Sequence, residues 1–408
     1  MSVPPQIAMI DPYDQLSDEF IQNPYPTYEK LRRGSPIFKS PSAARWLFSS
    51  YADVNTLVRD LRLSSSRFSA SSTATALMQD ERFGKLRNSQ SNWMLMKDEP
   101  DHTRLRALVN KAFTPATVAG QRGHIESIVN RLLDKMAEKG EADFIADYAY
   151  PLPVNVIAAM LGVPNEDHDK FSRWSRALAG AFDVRMCPVR LGHANDATAD
   201  LADYFRRMVE LRRKEPQDDL ISSLAAAEEE GSKLSTEEVL DNCILLLFAG
   251  HETTVNLIGN GMYALFQHED QLDKLKQKPA LVKGAVEELL RYDSPVQYLK
   301  RIALEDIEYA GNVISKTEQV ILIIGSAHRD PMQFADADSL DITRSDNKHV
   351  ALGGGIHYCL GASLARLEAE VAFNNILSRF PNLQLGGDKP AYRDSAGLRG
   401  LISLAVRF

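Results

Sequence analysis

One stretch of this chain, from about Thr236 to Phe266, predicts a helix long enough to cross the whole molecule. Ser235 can cap its start while Glu238 reaches back to the Ser235 backbone. The helix would be roughly 45 Å long. Its first half is apolar on almost every side, which indicates that it is buried. This central helix is the clearest structural prediction from the sequence.

The remaining pattern predicts a mainly α fold with small β-sheets. Apolar residues recur at helical spacing in many segments, whereas short alternating runs indicate strands. We expect the Ser-rich stretch 63–91 to be irregular. The predicted helices are 24–33, 52–60, 124–139, 151–161, 196–214 and 362–380, and the predicted strands are 46–48, 302–308, 319–324 and 401–406.

Composition limits the class of protein. The chain has 408 residues, and no Pro/Gly/Ser-rich linker divides it, so we expect a single domain, 1–408. Its net charge of −8 argues against a nucleic-acid-binding protein. The longest apolar run, 243–250, is far shorter than the roughly twenty residues of a membrane helix, and no signal peptide is evident. Three widely separated cysteines argue against disulfides or zinc, and together these features predict a soluble cytoplasmic protein without a membrane anchor.

Polar residues interrupt the middle of the central helix, in the run Ala249-Gly250-His251-Glu252-Thr253-Thr254. Gly250 costs about 1 kcal/mol of helix propensity relative to alanine. Thr253 can return its hydroxyl to a carbonyl one turn back, which would loosen the helix and make room for a small ligand. A tolerated polar kink in a buried helix is the alternative interpretation.

A second feature is the glycine-rich loop 352–361, in which Cys359 stands just before a strongly helical segment. A helix start stabilises a nearby anion, so this position favours the thiolate form that binds a metal such as haem iron. Glycines let the backbone turn tightly and let a flat ligand lie close to the loop. Taken alone, Cys359 is better explained as a structural cysteine on a Gly-rich turn.

Two further pairs of polar residues have helical spacing. Glu288 and Arg291 are three residues apart and share a helix face, but such pairs are common on protein surfaces. His102 and Arg106 lie four apart after Pro100 and could clamp a carboxylate. A solvated basic helix start explains the second pair equally well.

Together and in this order, these segments resemble the cytochrome P450 family, specifically the soluble bacterial haem-thiolate monooxygenases. The family's cysteine-loop pattern falls on Gly353, Gly355, His357, Cys359 and Gly361, with Leu352 where phenylalanine is usual. The family's Ala-Gly-x-acid-Thr pattern covers 249–253, and its Glu-x-x-Arg pattern covers 288–291. The overall resemblance is nearest to bacterial members that act on polyketide or fatty-acyl substrates.

The resemblance implies a bound haem b with Cys359 as the iron ligand. Glu288 and Arg291 would form a buried structural ion pair. Thr253 would hydrogen bond dioxygen and Glu252 would help to relay protons. The implied cofactor-binding residues are His102, Arg106, Ala249, Arg301, His357, Cys359 and Gly361, with the haem propionates held by His102, Arg106, Arg301 and His357.

The family pattern also suggests a substrate pocket above the haem, apolar and sparsely polar. Its predicted lining is Phe248, Val296, Gln297, Leu299 and Leu398, with the loop 64–75 as a lid. The expected reaction is hydroxylation of a hydrophobic small molecule by dioxygen. Oxidative carbon–carbon cleavage or coupling, on a substrate that some members receive on a carrier protein, stays open as an alternative.

Electrons would come from a ferredoxin or flavodoxin with its reductase, because the chain contains no flavin-binding or iron–sulfur segment. Such donors are acidic, so Arg104, Lys111 and Arg366 are predicted to form a docking patch behind the cysteine. A peroxide-driven enzyme usually lacks the acid and alcohol that Glu252 and Thr253 supply. A haem sensor or carrier without turnover would have lost this same pair.

Overall fold

The computed structural model describes residues 11–13, 16–66, 80–182, 187–229 and 234–408. A central helix, Thr236–Gln267, is its longest described element. The predicted capping box is present: the Ser235 hydroxyl accepts a hydrogen bond from the Glu238 N–H, and the Glu238 carboxylate accepts one from the Ser235 N–H. The predicted start and length of this helix are therefore confirmed.

The other helices lie around this element, and most predicted helices are present with shifted ends. They are Asp18–Gln22, Tyr25–Gly34, Tyr51–Leu57, Gly84–Asn92, Asp101–Val109, Pro115–Gly120, Arg122–Ala137, Pro151–Met160, His168–Ala179, Pro188–Lys214, Leu220–Glu229, Glu269–Gln277, Val282–Tyr292, Ile324–Ala327 and Ala362–Arg379. Short 3₁₀ turns and one π-helical segment, Ile145–Ala149, connect several of them.

The expectation of an irregular stretch from 63 to 91 is wrong where the structure describes it. Leu63–Ser64 forms a strand, and Gly84–Asn92 forms a helix. That helix buries Leu86 together with the polar Ser89 and Gln90, so its inner face lacks the apolar periodicity that predicts a helix. Residues 67–79 lie outside the described part of the chain.

The strands form small sheets, as predicted. A five-stranded sheet has the order β1 (Ile37–Lys39), β2 (Arg45–Phe48), β8 (Gln319–Leu322), β5 (Leu299–Ala303) and β3 (Leu63–Ser64), with β2 and β8 parallel and the other neighbours antiparallel. A second sheet joins β4 (Glu141–Asp143), β10 (Ala405–Arg407) and β9 (Gln384–Leu385). Strands β6 (Ile307–Tyr309) and β7 (Asn312–Ile314) form a hairpin.

The central helix supplies the middle of the largest hydrophobic core. It packs against the helices Pro151–Met160 and Ala362–Arg379, and nearly all of its residues from Val239 to Leu265 are buried. The exceptions in that range are Ala249, Gly250 and Thr253, which are half-buried. Among the described residues, no helix has the length and apolar character needed to cross a membrane.

Candidate active site

The cysteine loop turns in a way that requires glycine at two positions. Gly353 has a φ of 72° and Gly355 a φ of 62°, a left-handed conformation that other residues rarely adopt. Between them, a Cβ on Gly354 would lie 2.8 Å from Cγ1 of Val58. The glycines therefore permit both the tight turn and the close approach of the loop to the helix Tyr51–Leu57.

Cys359 lies at the end of this turn, just before the helix Ala362–Arg379. Its N–H donates to the carbonyl of Leu352 at 2.8 Å, which closes the loop. Burial raises the pKa of the Cys359 thiol, while the Gly361 N–H at the sulfur and the cationic Arg106 and Arg366 act in the opposite direction. The same groups would stabilise a thiolate once an iron atom replaced the proton.

Arg106 contacts the backbone of the same loop. Its guanidinium donates to the carbonyls of Ile356 at 3.0 Å and Tyr358 at 2.5 Å. In this structure the side chain therefore holds the cysteine loop, a role that the sequence analysis did not assign to it. Its contact with a haem propionate stays a prediction.

His102, Arg301 and His357 form a cluster of hydrogen-bond donors beside the loop. The rings of His102 and His357 lie 4.4 Å apart, and Nε2 of His357 is 3.1 Å from Oγ of Ser65. Burial, and then the neighbouring Arg301, His102 and Arg106, lower the pKa of His357 to about 3. Nδ1 of His102 is buried without a hydrogen-bond partner among the described residues. Ser65 was missed because a serine in a Ser-rich segment has no distinguishing sequence signal.

Ala249, Gly250 and Thr253, at the middle of the central helix, are half-buried, unlike the residues around them. The Thr253 hydroxyl donates to the carbonyl of Ala249 at 2.9 Å, as expected from the sequence. The α-helix nevertheless continues without interruption, so the expected loosening is not seen. The adjacent Glu252 is buried and pairs with Arg393.

His251, between the glycine and the acid, anchors the helix to its neighbours. Its Nδ1 is 2.7 Å from Oγ of Ser175, and its Nε2 is 3.2 Å from the carbonyl of Tyr150. Burial lowers the pKa of His251 to about 4. The imidazole is therefore neutral at pH 7 and fixes the rotation of the helix at the position that carries Glu252 and Thr253.

The predicted pocket residues fall into two groups. Val296, Leu299 and Leu398 are half-buried, and Val296 pairs with Leu398 in an isolated β-bridge. Phe248 and Gln297 are buried; Phe248 stacks on Trp93 with ring centroids 6.0 Å apart. The Gln297 amide donates to the carbonyl of Ser294 at 2.7 Å and lies beside Gly325. The roles of all five residues in binding substrate stay predictions.

Glu288 and Arg291 form a fully buried ion pair at 2.8 Å, with both side chains 0% exposed. Arg291 also donates to the carbonyls of His328, Ala337 and Ser339. This pair fastens the helix Val282–Tyr292 to the long segment that precedes the cysteine loop. The pair is therefore not an exposed surface pair, which the spacing alone also allowed.

The three residues of the predicted docking patch differ in their surroundings. Arg104 pairs with Glu238 at 2.5 Å, and Arg366 pairs with Glu287 at 2.6 Å. Lys111 is exposed. The charges of the two arginines are therefore partly neutralised within the chain, and the role of all three in docking stays a prediction.

These residues fit a flat, iron-binding group with acidic substituents. A cysteine whose thiolate form is favoured by an amide N–H and two cations suits iron. The donor cluster, in which Nδ1 of His102 has no partner among the described residues, suits carboxylates. The half-buried, uncharged stretch of the central helix suits an apolar macrocycle. The described residues contain no His, Cys, Asp and Glu cluster that could hold a metal ion by itself.

Comparison with known proteins gives the same answer. A family model described as Cytochrome P450 matches residues 68–399. The biotin biosynthesis cytochrome P450 of Bacillus subtilis is 40% identical over 395 residues, which cover 96% of this chain and 98% of that protein. The polyketide biosynthesis cytochrome P450 PksS of the same organism is 41% identical over 402 residues, covering 95% of this chain and 96% of the relative.

Among solved structures, P450BioI in complex with hexadec-9Z-enoic acid ligated acyl carrier protein is similar to this chain. The TM-score is 0.90 with 40% identity, and the match covers 96% of this chain and 100% of that one. The mainly α fold predicted from the sequence is confirmed by this agreement. The protein thus belongs to the cytochrome P450 family of haem-thiolate monooxygenases, enzymes that bind haem b.

Proposed function

We propose that this enzyme hydroxylates a fatty-acyl or polyketide-type chain in the cytoplasm, using dioxygen and electrons from a separate redox protein. The observation that carries the proposal is the near-full-length similarity to two relatives named for biotin and polyketide biosynthesis. A solved structure with the same fold is described as a complex with an acyl-loaded carrier protein. A carrier-bound acyl chain is therefore the first substrate class to test.

Cys359 is the proposed iron ligand, and His102, Arg106, Arg301 and His357 are proposed to hold the propionates. Haem b with a thiolate ligand supplies the activation of dioxygen for insertion of one oxygen atom into a carbon–hydrogen bond. The Gly361 N–H and the cations of Arg106 and Arg366 support the thiolate. The contacts of Arg106 with the loop carbonyls add a second task, that of keeping Cys359 in position.

The reaction consumes the substrate, one dioxygen molecule, two electrons and two protons, and gives the alcohol and one water molecule. Protons must therefore reach the oxygen-binding side from solvent. Thr253 is proposed to present its hydroxyl there, since it is the half-buried polar side chain at the middle of the central helix. Glu252 is proposed to supply protons to this side, because one of its carboxylate oxygens has no hydrogen-bond partner among the described residues.

The substrate is proposed to lie against the half-buried apolar residues Val296, Leu299 and Leu398, with Ala249 opposite. Such a surface suits a hydrocarbon chain. Phe248 and Gln297 are buried, and we propose that they pack beneath this apolar surface and determine its shape. The electron donor is proposed to be a ferredoxin or flavodoxin with its reductase, and Lys111 to take part in docking it.

A second candidate reaction is oxidative carbon–carbon cleavage or coupling on a carrier-bound substrate. The relative whose structure is described with an acyl-loaded carrier protein supports the carrier-bound substrate of this candidate. Hydroxylation adds one oxygen atom to an intact chain, whereas cleavage gives two shorter products. The mass of the product therefore separates hydroxylation from cleavage, and also from coupling, which joins two carbon atoms with loss of two hydrogen atoms.

The test is a titration of the haem-loaded enzyme with hexadec-9Z-enoic acid, both free and attached to an acyl carrier protein. The proposal predicts a low-to-high-spin shift of the ferric haem spectrum, because a fitting chain displaces water from the iron. The unloaded carrier protein is the control for binding without a chain. If neither form of the acid shifts the spectrum and neither is oxidised with a ferredoxin and its reductase, the fatty-acyl substrate class is wrong.

A further inference from the structure

The acid of the central helix has a partner from the far end of the chain. Glu252, Asn256 and Asn260 are spaced four residues apart and so share one face of the helix. The C-terminal segment covers this face. Arg393 donates from Nη1 to Oε2 of Glu252 at 2.6 Å and from Nη2 to Oδ1 of Asn256 at 2.5 Å. Asn260 donates to the carbonyl of Arg399 at 3.0 Å.

The segment that carries Arg393 is itself a closed turn. The Arg393 N–H donates to the carbonyl of Gly400 at 2.9 Å, and Tyr392 pairs with Leu401 in a β-bridge. The same turn carries Leu398, which lies in the predicted substrate pocket. The backbone turn therefore fixes the position of Arg393 in the chain. Its two hydrogen bonds to the central helix fix the orientation of the guanidinium.

The Glu252–Arg393 pair is unequal in exposure. The Glu252 side chain is 2% exposed and that of Arg393 is 31% exposed, so the arginine extends from the acid to the surface. Oε1 of Glu252, Nδ2 of Asn256 and Nε of Arg393 are buried without hydrogen-bond partners among the described residues. Buried polar atoms usually bind a protein group or water. One oxygen of the acid is therefore held by Arg393, whereas the other has no hydrogen-bond partner among the described residues.

We propose that Arg393 is a positioning residue for Glu252. It holds Oε2 so that Oε1 alone accepts protons arriving from the surface and passes them on. Asn256 fixes the second nitrogen of the guanidinium and thereby its orientation. This inference rests on the proposed role of Glu252 in supplying protons, and it adds the residue that sets the geometry of the acid.

Gly400 offers a way to move the arginine without changing any charge. A Cβ at this position would lie 1.9 Å from Oδ1 of Asn256 and 2.8 Å from Nη2 of Arg393. Both atoms are the ends of side chains, so an alanine would displace them and break their contact. The backbone of Gly400 does not have a positive φ, so the substitution does not strain it. Gly192, around which the structure has open space, is a matched control.

The experiment compares haem-loaded Arg393→Gln, Arg393→Lys and Gly400→Ala with the wild type and with the controls Gly192→Ala and Arg379→Gln. Arg379 pairs with Asp134 on the surface. Three quantities are measured: product per reduced nicotinamide consumed, the solvent deuterium isotope effect on turnover, and the dissociation constant of the acyl probe from its spin shift. The probe is hexadec-9Z-enoic acid, free or carrier-bound, whichever shifts the wild-type spectrum.

We expect Arg393→Gln to lower product per reduced nicotinamide about tenfold and to change the solvent isotope effect, with an unchanged dissociation constant. Arg393→Lys and Gly400→Ala keep a cation near the acid but lose the second contact, so both should fall between Arg393→Gln and the wild type. A wild-type yield in Arg393→Gln would overturn the inference. So would a loss of yield that is matched by a weaker dissociation constant, because a merely structural residue behaves in that way.

Two further results keep this inference separate from the proposed function. If Glu252→Gln lowers the yield and Arg393→Gln does not, the acid works without the arginine and only this inference fails. If Glu252→Gln has no effect, the proposed proton supply itself fails. Urea unfolding of Glu252→Gln, Arg393→Gln and the double variant needs no substrate: strictly additive losses of stability would show that the two side chains do not interact, which also overturns the inference.

Discussion

Two glutamate–arginine pairs in this enzyme, each with a buried carboxylate, are built differently. Glu288 and Arg291 lie three residues apart, and both side chains are 0% exposed. Glu252 and Arg393 come from distant parts of the chain, and the Arg393 side chain is 31% exposed. Arg291 donates to three backbone carbonyls besides its carboxylate, whereas the Glu252–Arg393 cluster leaves buried atoms without a partner among the described residues.

The first pair stabilises the fold, whereas the second pair is proposed to take part in proton supply. Every charged group of the first pair has hydrogen-bond partners, and Glu288 also accepts from Arg344, Asn347 and the Asp341 N–H. Such a network resists rearrangement because any movement leaves a buried charge unpaired. In the second pair, Oε1 of Glu252 has no hydrogen-bond partner among the described residues, and we propose that this oxygen exchanges protons.

The largest expected effect is on the first pair. Arg291→Leu removes the closest cation of the buried Glu288 and leaves only the longer contact with Arg344 at 3.2 Å, which should lower the free energy of unfolding by about 3–5 kcal/mol. Urea unfolding and the amount of haem bound after purification measure the effect. Arg379→Gln, which breaks an exposed pair with Asp134, should cost at most about 1 kcal/mol. Equal losses in the two variants would remove the distinction between a buried and an exposed pair.

The next largest effect is on turnover, in variants of Thr253 and of the acid of the second pair. Thr253→Ala and Glu252→Gln should each lower product per electron about tenfold to a hundredfold, because protons no longer reach the bound oxygen in step with the electrons. Consumption of reduced nicotinamide should continue, with hydrogen peroxide as the by-product. A Thr253→Ala enzyme with wild-type product per electron would contradict the proton-delivery role.

The sequence was sufficient for local features and insufficient for the second pair. Ser235 and Glu238 marked the start of the central helix because a capping box is local, and Glu288 and Arg291 were found because helical neighbours are three residues apart. Arg393 was missed because its pairing with Glu252 depends on how the C-terminal turn folds across the helix. Arg106 was identified, but its contacts with the carbonyls of Ile356 and Tyr358 depend on the course of a glycine loop that spacing does not describe.

A third pair, Glu287 with Arg366, sharpens the comparison because it is partly exposed and responds to pH. Burial opposes ionisation of Glu287, but hydrogen bonds from Arg366 and His349 outweigh it and lower its pKa from 4.5 to about 2. The stabilisation is therefore complete above about pH 5 and is lost as the pH falls toward 2. We expect Glu287→Gln to cost about 1–2 kcal/mol at pH 7 and progressively less below pH 5.

Urea unfolding midpoints of the wild type and Glu287→Gln at several pH values between 7 and 3 measure this effect. The difference between the two proteins should shrink as the pH falls. A constant difference over that range would mean that the carboxylate has the same proton affinity in the folded and unfolded chains. Glu370→Gln, which removes a carboxylate paired with Arg122 elsewhere on the same helix as Arg366, is the control for a general effect of losing one charge.

The smallest expected effect is on a side chain with no role in either buried pair. Lys111 is exposed, unlike Arg104 and Arg366, whose guanidinium groups bind carboxylates. Lys111→Glu should slow reduction of the haem by an acidic ferredoxin a few-fold, roughly, at low salt and by less at high salt. Lys278→Glu, in a turn after the helix Glu269–Gln277, is a control with the same charge change. The same rate in Lys111→Glu as in the wild type would remove Lys111 from the docking surface.

The account depends most directly on the bond between Cys359 and haem iron. The measurement is the absorption spectrum of the dithionite-reduced, carbon monoxide-bound enzyme, compared for the wild type and Cys359→Ser. The wild type should show the absorption of a thiolate-ligated haem, and Cys359→Ser should lose it while circular dichroism shows that the helices remain. A wild-type enzyme that binds haem without this absorption, or a Cys359→Ser variant that retains it, would contradict the account.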